Sequence, residues 1–164
     1  MKKILLAVIS ICIAHFMQAQ IMQPVKWTWK AEPVKKGIYK LIFTATIDSG
    51  WNIASSYVAL KDIGPIPLSI QFDTTYVKPL DKLVEKGKRR YEFNEVFAMN
   101  LQLLQGPIVC EQTVRVLRDT KLRGLITYMA FSDRAATPPD EIPFEFNLKG
   151  PNSQGIYIQW DTTR

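Results

Sequence analysis

The chain has 164 residues, 47% of them hydrophobic, with two cysteines, one histidine and a formal charge of +6. That is enough for one domain burying a core without disulfide support, and too little Cys and His for a structural zinc site, which takes four such ligands. The charge excess is mild and poorly interleaved with aromatic residues, so it does not mark a nucleic-acid surface.

The chain opens on Lys2 and Lys3, an apolar run from Ile4 to Ala14 and a polar exit at Gln18-Ala19-Gln20. This is the pattern of a secretory signal peptide over residues 1–19, cleaved after Ala19. The apolar stretch falls short of the roughly 20 residues a membrane span needs, and no later segment approaches that length. A lipid-anchored reading of Cys12 is disfavoured because Ile11 stands where a small side chain is required. The expectation is a mature domain, residues 20–164, exported to the periplasm or cell envelope and not inserted in a membrane. Losing Lys2 and Lys3 lowers the formal charge from +6 to +4, and Cys12 and His15 go with them. Without a histidine, neither a Ser-His-Asp nor a Cys-His catalytic pair can be assembled, no metal site is expected, and no cofactor is implied.

Along the mature chain apolar residues alternate with period two, the signature of half-buried strands. Strands are predicted over Val25 to Ala31, Tyr39 to Ile47, Ile66 to Phe72 and Glu92 to Met99. Others follow over Ile108 to Leu117, Leu122 to Phe131, Phe144 to Leu148 and Ile156 to Trp160. Turn chemistry separates them at Lys36-Gly37, Ser49-Gly50, Gly64-Pro65, Lys86-Gly87, Gln105-Gly106-Pro107, Arg118-Asp119 and Pro138-Pro139. Between them, Val58 to Ile63 reads as a loop and Leu80 to Lys86 as one helical turn, while the charge run Lys78 to Arg90 reads as a solvated loop. Eight or so short strands without helices favour an all-β antiparallel sandwich in a single domain.

Cys110 alternates with Ile108, Val114 and Val116, which puts it on an inward face as an inert core thiol; a reactive or dimer-forming thiol is the alternative. Asp133, Asp140 and Glu141 cluster in sequence, but carboxylates beside a turn are ordinarily solvated, so general acid–base work is not expected of them. Trp27, Trp29, Trp51 and Trp160 read as core side chains in preference to a ligand platform.

Several segments in order carry a family pattern: Pro24-Val25-Lys26-Trp27, Leu41 to Thr46, Gly50-Trp51, Gly64-Pro65-Ile66-Pro67 and Asn94-Glu95-Val96-Phe97-Ala98-Met99. The pattern continues through the strand that contains Gln112, Gly124 to Met129, Pro138-Pro139 and Phe144-Glu145-Phe146. Together they resemble the N-terminal periplasmic domain of DsbD-type thiol:disulfide interchange proteins, in the Bacteroidetes form. The resemblance implies an immunoglobulin-like sandwich. It also implies a cysteine pair that takes electrons from a membrane-embedded partner and passes them to periplasmic disulfide isomerases and related proteins.

Where that family has a Tyr-Met, a spacer, Cys, four residues, Cys and a Pro-Pro pair, this chain reads Tyr128-Met129 through Pro138-Pro139, with Phe131 and Ala136 at the matching cysteine positions. Thiol–disulfide exchange needs one thiolate to attack and a second thiol to resolve, and neither position supplies sulfur. A cystine holds its Cα atoms roughly 5.5 Å apart, and Phe131 packed over Ala136 would keep such a hairpin closed and leave an apolar patch. The expected role is that of a non-catalytic interaction domain. Its docking surface would comprise Tyr128, Phe131, Asp133, Arg134, Pro138 and Pro139, with Phe131 as apolar anchor and Asp133 and Arg134 as polar rim. The partner would be an envelope protein of thioredoxin-like or membrane thiol-transfer type. The alternative is an auxiliary recognition role in periplasmic thiol–disulfide exchange and cytochrome-maturation pathways.

Overall fold

The structure is a computed structural model that describes residues 23–58, 64–95 and 97–153. Ten antiparallel strands form two sheets, with no helix among the described residues. The larger sheet holds β1 (Val25–Lys35), β2 (Ile38–Ile47), β3 (Asn52–Ala54), β5 (Val77–Pro79), β6 (Val84–Asn94), β7 (Met99–Val116) and β9 (Ala130–Phe131). The smaller holds β4 (Ser69–Phe72), β8 (Thr120–Tyr128) and β10 (Asp140–Leu148). This is the all-β antiparallel sandwich that the alternation predicts, in the immunoglobulin-like form that the resemblance implies.

β7 organises the larger sheet. Glu111 pairs with Ile42 of β2 on one side and Val84 of β6 on the other, and Leu103 likewise lies between Ala54 of β3 and Arg90 of β6. One edge of β7 therefore serves β2 and β3, and the opposite edge serves β6 and β5. In the smaller sheet β8 is central, flanked by β10 and β4.

The core lies between the sheets. Leu41, Phe43, Ala45, Ile108, Cys110 and Val114 of the larger sheet meet Leu122, Ile126, Tyr128, Phe144, Phe146 and Leu148 of the smaller. Phe43 meets Phe144 edge-on at 4.9 Å and Phe146 at 5.8 Å, geometries worth about 0.5–1.5 kcal/mol each beyond the area they bury. Trp27, Trp29 and Trp51 pack partly buried against this core, as expected; Trp160 lies outside the described residues, as does the predicted strand Ile156 to Trp160.

A second, smaller core occupies the outer face of the larger sheet, where Ala54, Leu101, Leu103 and Phe131 are buried together. It follows from alternation. Leu104 faces the sandwich interior, so its neighbours Leu103 and Leu101's row face outward, and those outward leucines need a cover that the second sheet cannot provide.

Five expectations are corrected. Leu80 to Lys86 forms no helical turn, because Val84 already belongs to β6, and the supposed loop Lys78 to Arg90 contains most of that strand. Glu92 to Met99 is not one strand: β6 ends at Asn94, and the chain turns through Ala98, whose φ of 49° is left-handed, before β7 begins at Met99. Gln105-Gly106-Pro107 is not a turn between strands but an irregularity inside β7, which passes from Gln105 opposite Lys88 to Ile108 opposite Gly87. Gly87 is needed there: its φ is 139°, and a Cβ would lie 2.9 Å from the Ile108 side chain. Ile66 and Pro67 precede β4 instead of opening it, since prolines at 65 and 67 remove two backbone donors.

Candidate functional site

The hairpin that carries Phe131 and Ala136 is tied to the larger sheet through β9, where Asn52 pairs with Phe131 and Ile53 with Ala130. Asn52 Nδ2 donates to the Phe131 carbonyl at 3.4 Å, and Gln105 Nε2 donates to Asn52 Oδ1 at 2.6 Å. The turn is closed locally. Ser132 N donates to the Ala135 carbonyl at 2.7 Å, and Ser132 Oγ accepts from Arg134 N and Ala135 N at 3.3 and 3.1 Å. Thr137 N donates to the Ala130 carbonyl at 2.8 Å, and Thr137 Oγ1 accepts from Ala130 N at 3.2 Å.

Phe131 and Ala136 face each other as an antiparallel bridge, with hydrogen bonds from Thr137 to Ala130 and from Ser132 to Ala135 on either side. They are therefore a non-hydrogen-bonded pair, the close kind, with Cα atoms about 4.5 Å apart in such geometry. That separation lies inside the range a disulfide spans. The two positions are thus close enough for a disulfide to span, and neither carries sulfur.

The ring of Phe131 turns inward. It is 1% exposed, lies against Ala54, Leu101 and Leu103, and is met edge-on at 5.5 Å by Phe97 from the turn between β6 and β7. Asn94 Oδ1 accepts from Phe97 N at 3.1 Å and braces that turn. The expected apolar patch and its Phe131 anchor are therefore corrected: the ring is core and Ala136 is exposed. Burying a phenylalanine is worth about 1.5–3 kcal/mol, which favours this arrangement over an exposed ring.

The other docking candidates divide between interior and surface. Tyr128 is 2% exposed, its hydroxyl donates to Asp140 Oδ2 at 2.9 Å, and burial followed by that carboxylate holds its phenol well above its ordinary pKa. Pro138 and Pro139 are exposed and border a depression of about 160 Å³ beside Tyr128 and Asp140. Asp133 and Arg134 are exposed at the turn, and Asp133 borders a different depression, about 420 Å³, with Arg90, Glu92 and Phe93. The surface part of the proposed face is therefore polar and proline-bordered, and its aromatic members are inside.

Asp140 is engaged by Tyr128, Asp133 lies at the second depression and Glu141 points to solvent, so the three carboxylates form no common site. Among the described residues no group of three or more His, Cys, Asp or Glu side chains gathers to hold a metal. Cys110 is fully buried between Phe43 and Glu85, and burial, then the charge of Glu85, push its thiol up to about 12. It is a core thiol, as the alternation predicts.

Sequence reasoning misses two features. Glu85, hidden in a charge run, is 3% exposed; its carboxylate accepts from Ser55 Oγ at 2.6 Å and Ser56 N at 2.7 Å, with Arg89 at 3.9 Å. Tyr91 and Phe93, 76% and 59% exposed, are large aromatics on the surface of β6. Only their period-two spacing, continued through the charge run, could have placed them on one face.

The fold is that of known N-terminal periplasmic domains. The crystal structure of the N-terminal periplasmic domain of ScsB from Proteus mirabilis matches with a TM-score of 0.60 at 11% identity, over 82% of this chain and 51% of that one. The DsbD N-terminal domain of Neisseria meningitidis in the reduced form matches with a TM-score of 0.53 at 9% identity, over 76% of this chain and 86% of that one. This chain thus spans about half the length of the ScsB domain. No protein-family profile and no curated protein sequence matches it.

Proposed function

We propose that this chain is an exported, non-catalytic recognition domain with the fold of the DsbD N-terminal domain, acting as residues 20–164 in the periplasm or cell envelope. The observation that carries the reading is the close pair Phe131 and Ala136, which keeps the backbone spacing of a dithiol while offering a buried ring and a methyl group. The Neisseria neighbour is a DsbD N-terminal domain in the reduced form; here Cys110, the one thiol after residue 19, is sealed in the core. The domain would contribute recognition and no electrons. Its partner would be a thioredoxin-like or membrane thiol-transfer protein, met by the polar surface of Asp133 and Arg134 and the Pro138-Pro139 rim.

The test is a pull-down from envelope extract with residues 20–164 as bait, beside a variant carrying Phe131→Cys and Ala136→Cys. Both baits are expected to capture the same thioredoxin-like or thiol-transfer protein, and only the double variant should exchange electrons with it. If neither retains such a protein, the recognition role is wrong. In the double variant, alkylation before and after reduction should reveal an intramolecular disulfide, because the pair already has the required spacing.

A further inference from the structure

Among the described residues β6 pairs with β7 alone, so its other edge has no strand partner along its 11 residues. Edges of this kind are ordinarily blunted by charge. Lys86, Lys88, Arg89 and Arg90 do so over the first half, but the second half carries the exposed Tyr91 and Phe93 and ends in Glu92 and Glu95. The edge is polarised, basic toward Val84 and acidic toward Glu95.

A polarised edge complements itself when two copies run antiparallel. Centred on Tyr91, such a pairing sets Arg90 opposite Glu92 of the second copy, and Glu92 opposite the second copy's Arg90. It also sets Arg89 opposite Phe93 and brings the two Tyr91 rings together. Arg90 and Glu92 already form an ion pair within one copy and share the outer face, as the partners Leu103 and Leu101 on β7 require. Pairing would extend this to an alternating network of four charges. Arg89 and Phe93 share the inner face, but the Arg89 guanidinium already lies over the Tyr57 ring at 5.6 Å and donates to the Glu85 carbonyl, so the complementarity is carried by Arg90 and Glu92.

We propose that two copies of this chain associate through β6, in antiparallel register about Tyr91, to form one continuous sheet across a two-fold axis. The hairpin of Phe131 and Ala136 hangs on β3, on the other edge of β7, but its turn residue Asp133 borders the same depression as Arg90, Glu92 and Phe93, so the dimer seam runs beside that turn.

Sedimentation velocity on residues 20–164 across the micromolar range is expected to show a concentration-dependent doubling of mass. Hydrogen exchange of β6 amides should slow as the dimer forms. Arg90→Glu or Glu92→Arg alone places like charges opposite each other twice per dimer and should weaken association at least about tenfold. A mixture of the two single variants restores opposite charges in both places, and should form a heterodimer where each alone is monomeric. A wild type that stays monomeric throughout overturns the proposal and leaves the edge to a strand from another protein. A dimer indifferent to both substitutions, or single variants that fail to pair when mixed, overturns it as well.

Discussion

At Cys110 the environment decides the chemistry. Its thiol is raised from an ordinary 9.0 to about 12, so between those values the unfolded chain releases a proton that the folded chain retains. The folded state binds more protons there, and stability must fall as pH rises through the window. Urea denaturation from pH 8 to 12 is expected to show a steeper alkaline loss for the wild type than for Cys110→Ala. The difference should be on the order of 4 kcal/mol across the full shift. In native buffer the thiol should resist labelling and react fully only after unfolding. Phe131→Ala should cost about 3–5 kcal/mol by the same assay, since the outer core loses its largest side chain. Cys110's burial was legible because Ile108, Val114 and Val116 share its parity. The fate of Phe131 was not: alternation assigns a face but cannot say that the outer face of this sheet has a small core of its own, closed by Phe97 from a turn 34 positions earlier.

Among the elements, β8 shows the tightest packing. Gly124 lies directly between Phe72 of β4 and Phe144 of β10, and an added Cβ would sit 2.3 Å from the Gln71 carbonyl and 2.4 Å from the Phe144 ring. Backbone on one side and a core aromatic on the other cannot both yield. Gly124→Ala should destabilise by about 1–3 kcal/mol or more, seen as a lower urea midpoint with an unchanged slope. Of the strands richest in alternating apolar residues, β2 could be read nearly to its ends, whereas the reading of β1 stops at Ala31 instead of Lys35, that of β8 runs on into β9, and that of β10 opens at Phe144 instead of Asp140. β3 and β5 are three residues each, too short for any period to register. β6 was obscured because a strand paired on one edge only among the described residues, with most of its side chains exposed, tolerates the charges that ordinarily signal a loop. Gly106-Pro107 misled for a related reason: the residues that make a turn also make a bulge, and only the pairing partners distinguish them.

At the scale of the whole molecule, the two cores lie on opposite faces of one sheet and differ in size, which predicts unequal local stability. Native-state hydrogen exchange should find amides of β2 and β8 opening only with global unfolding. Those around Phe97 and Phe131 should open at lower free energy, and Phe131→Ala should widen that gap. Global unfolding should still be a single transition, with tryptophan fluorescence and circular dichroism coinciding, because Trp27, Trp29 and Trp51 all pack on the main core. The sandwich class was legible from strand number, spacing and the lack of helical periodicity. The division into seven and three strands was not, because it depends on which distant segments pair, and local pattern carries no information about that.

β7 has a kinetic consequence. Four strands that precede it, β2, β3, β5 and β6, find their partner in residues 99–116. Until that segment has been synthesised, the only sheet pairing open to the described residues is the local one between β1 and β2. Most native contacts are therefore far apart in sequence, which places the domain among slow folders of high contact order. A growing chain that cannot close its sheet early stays unfolded for longer, which would suit the export proposed for it.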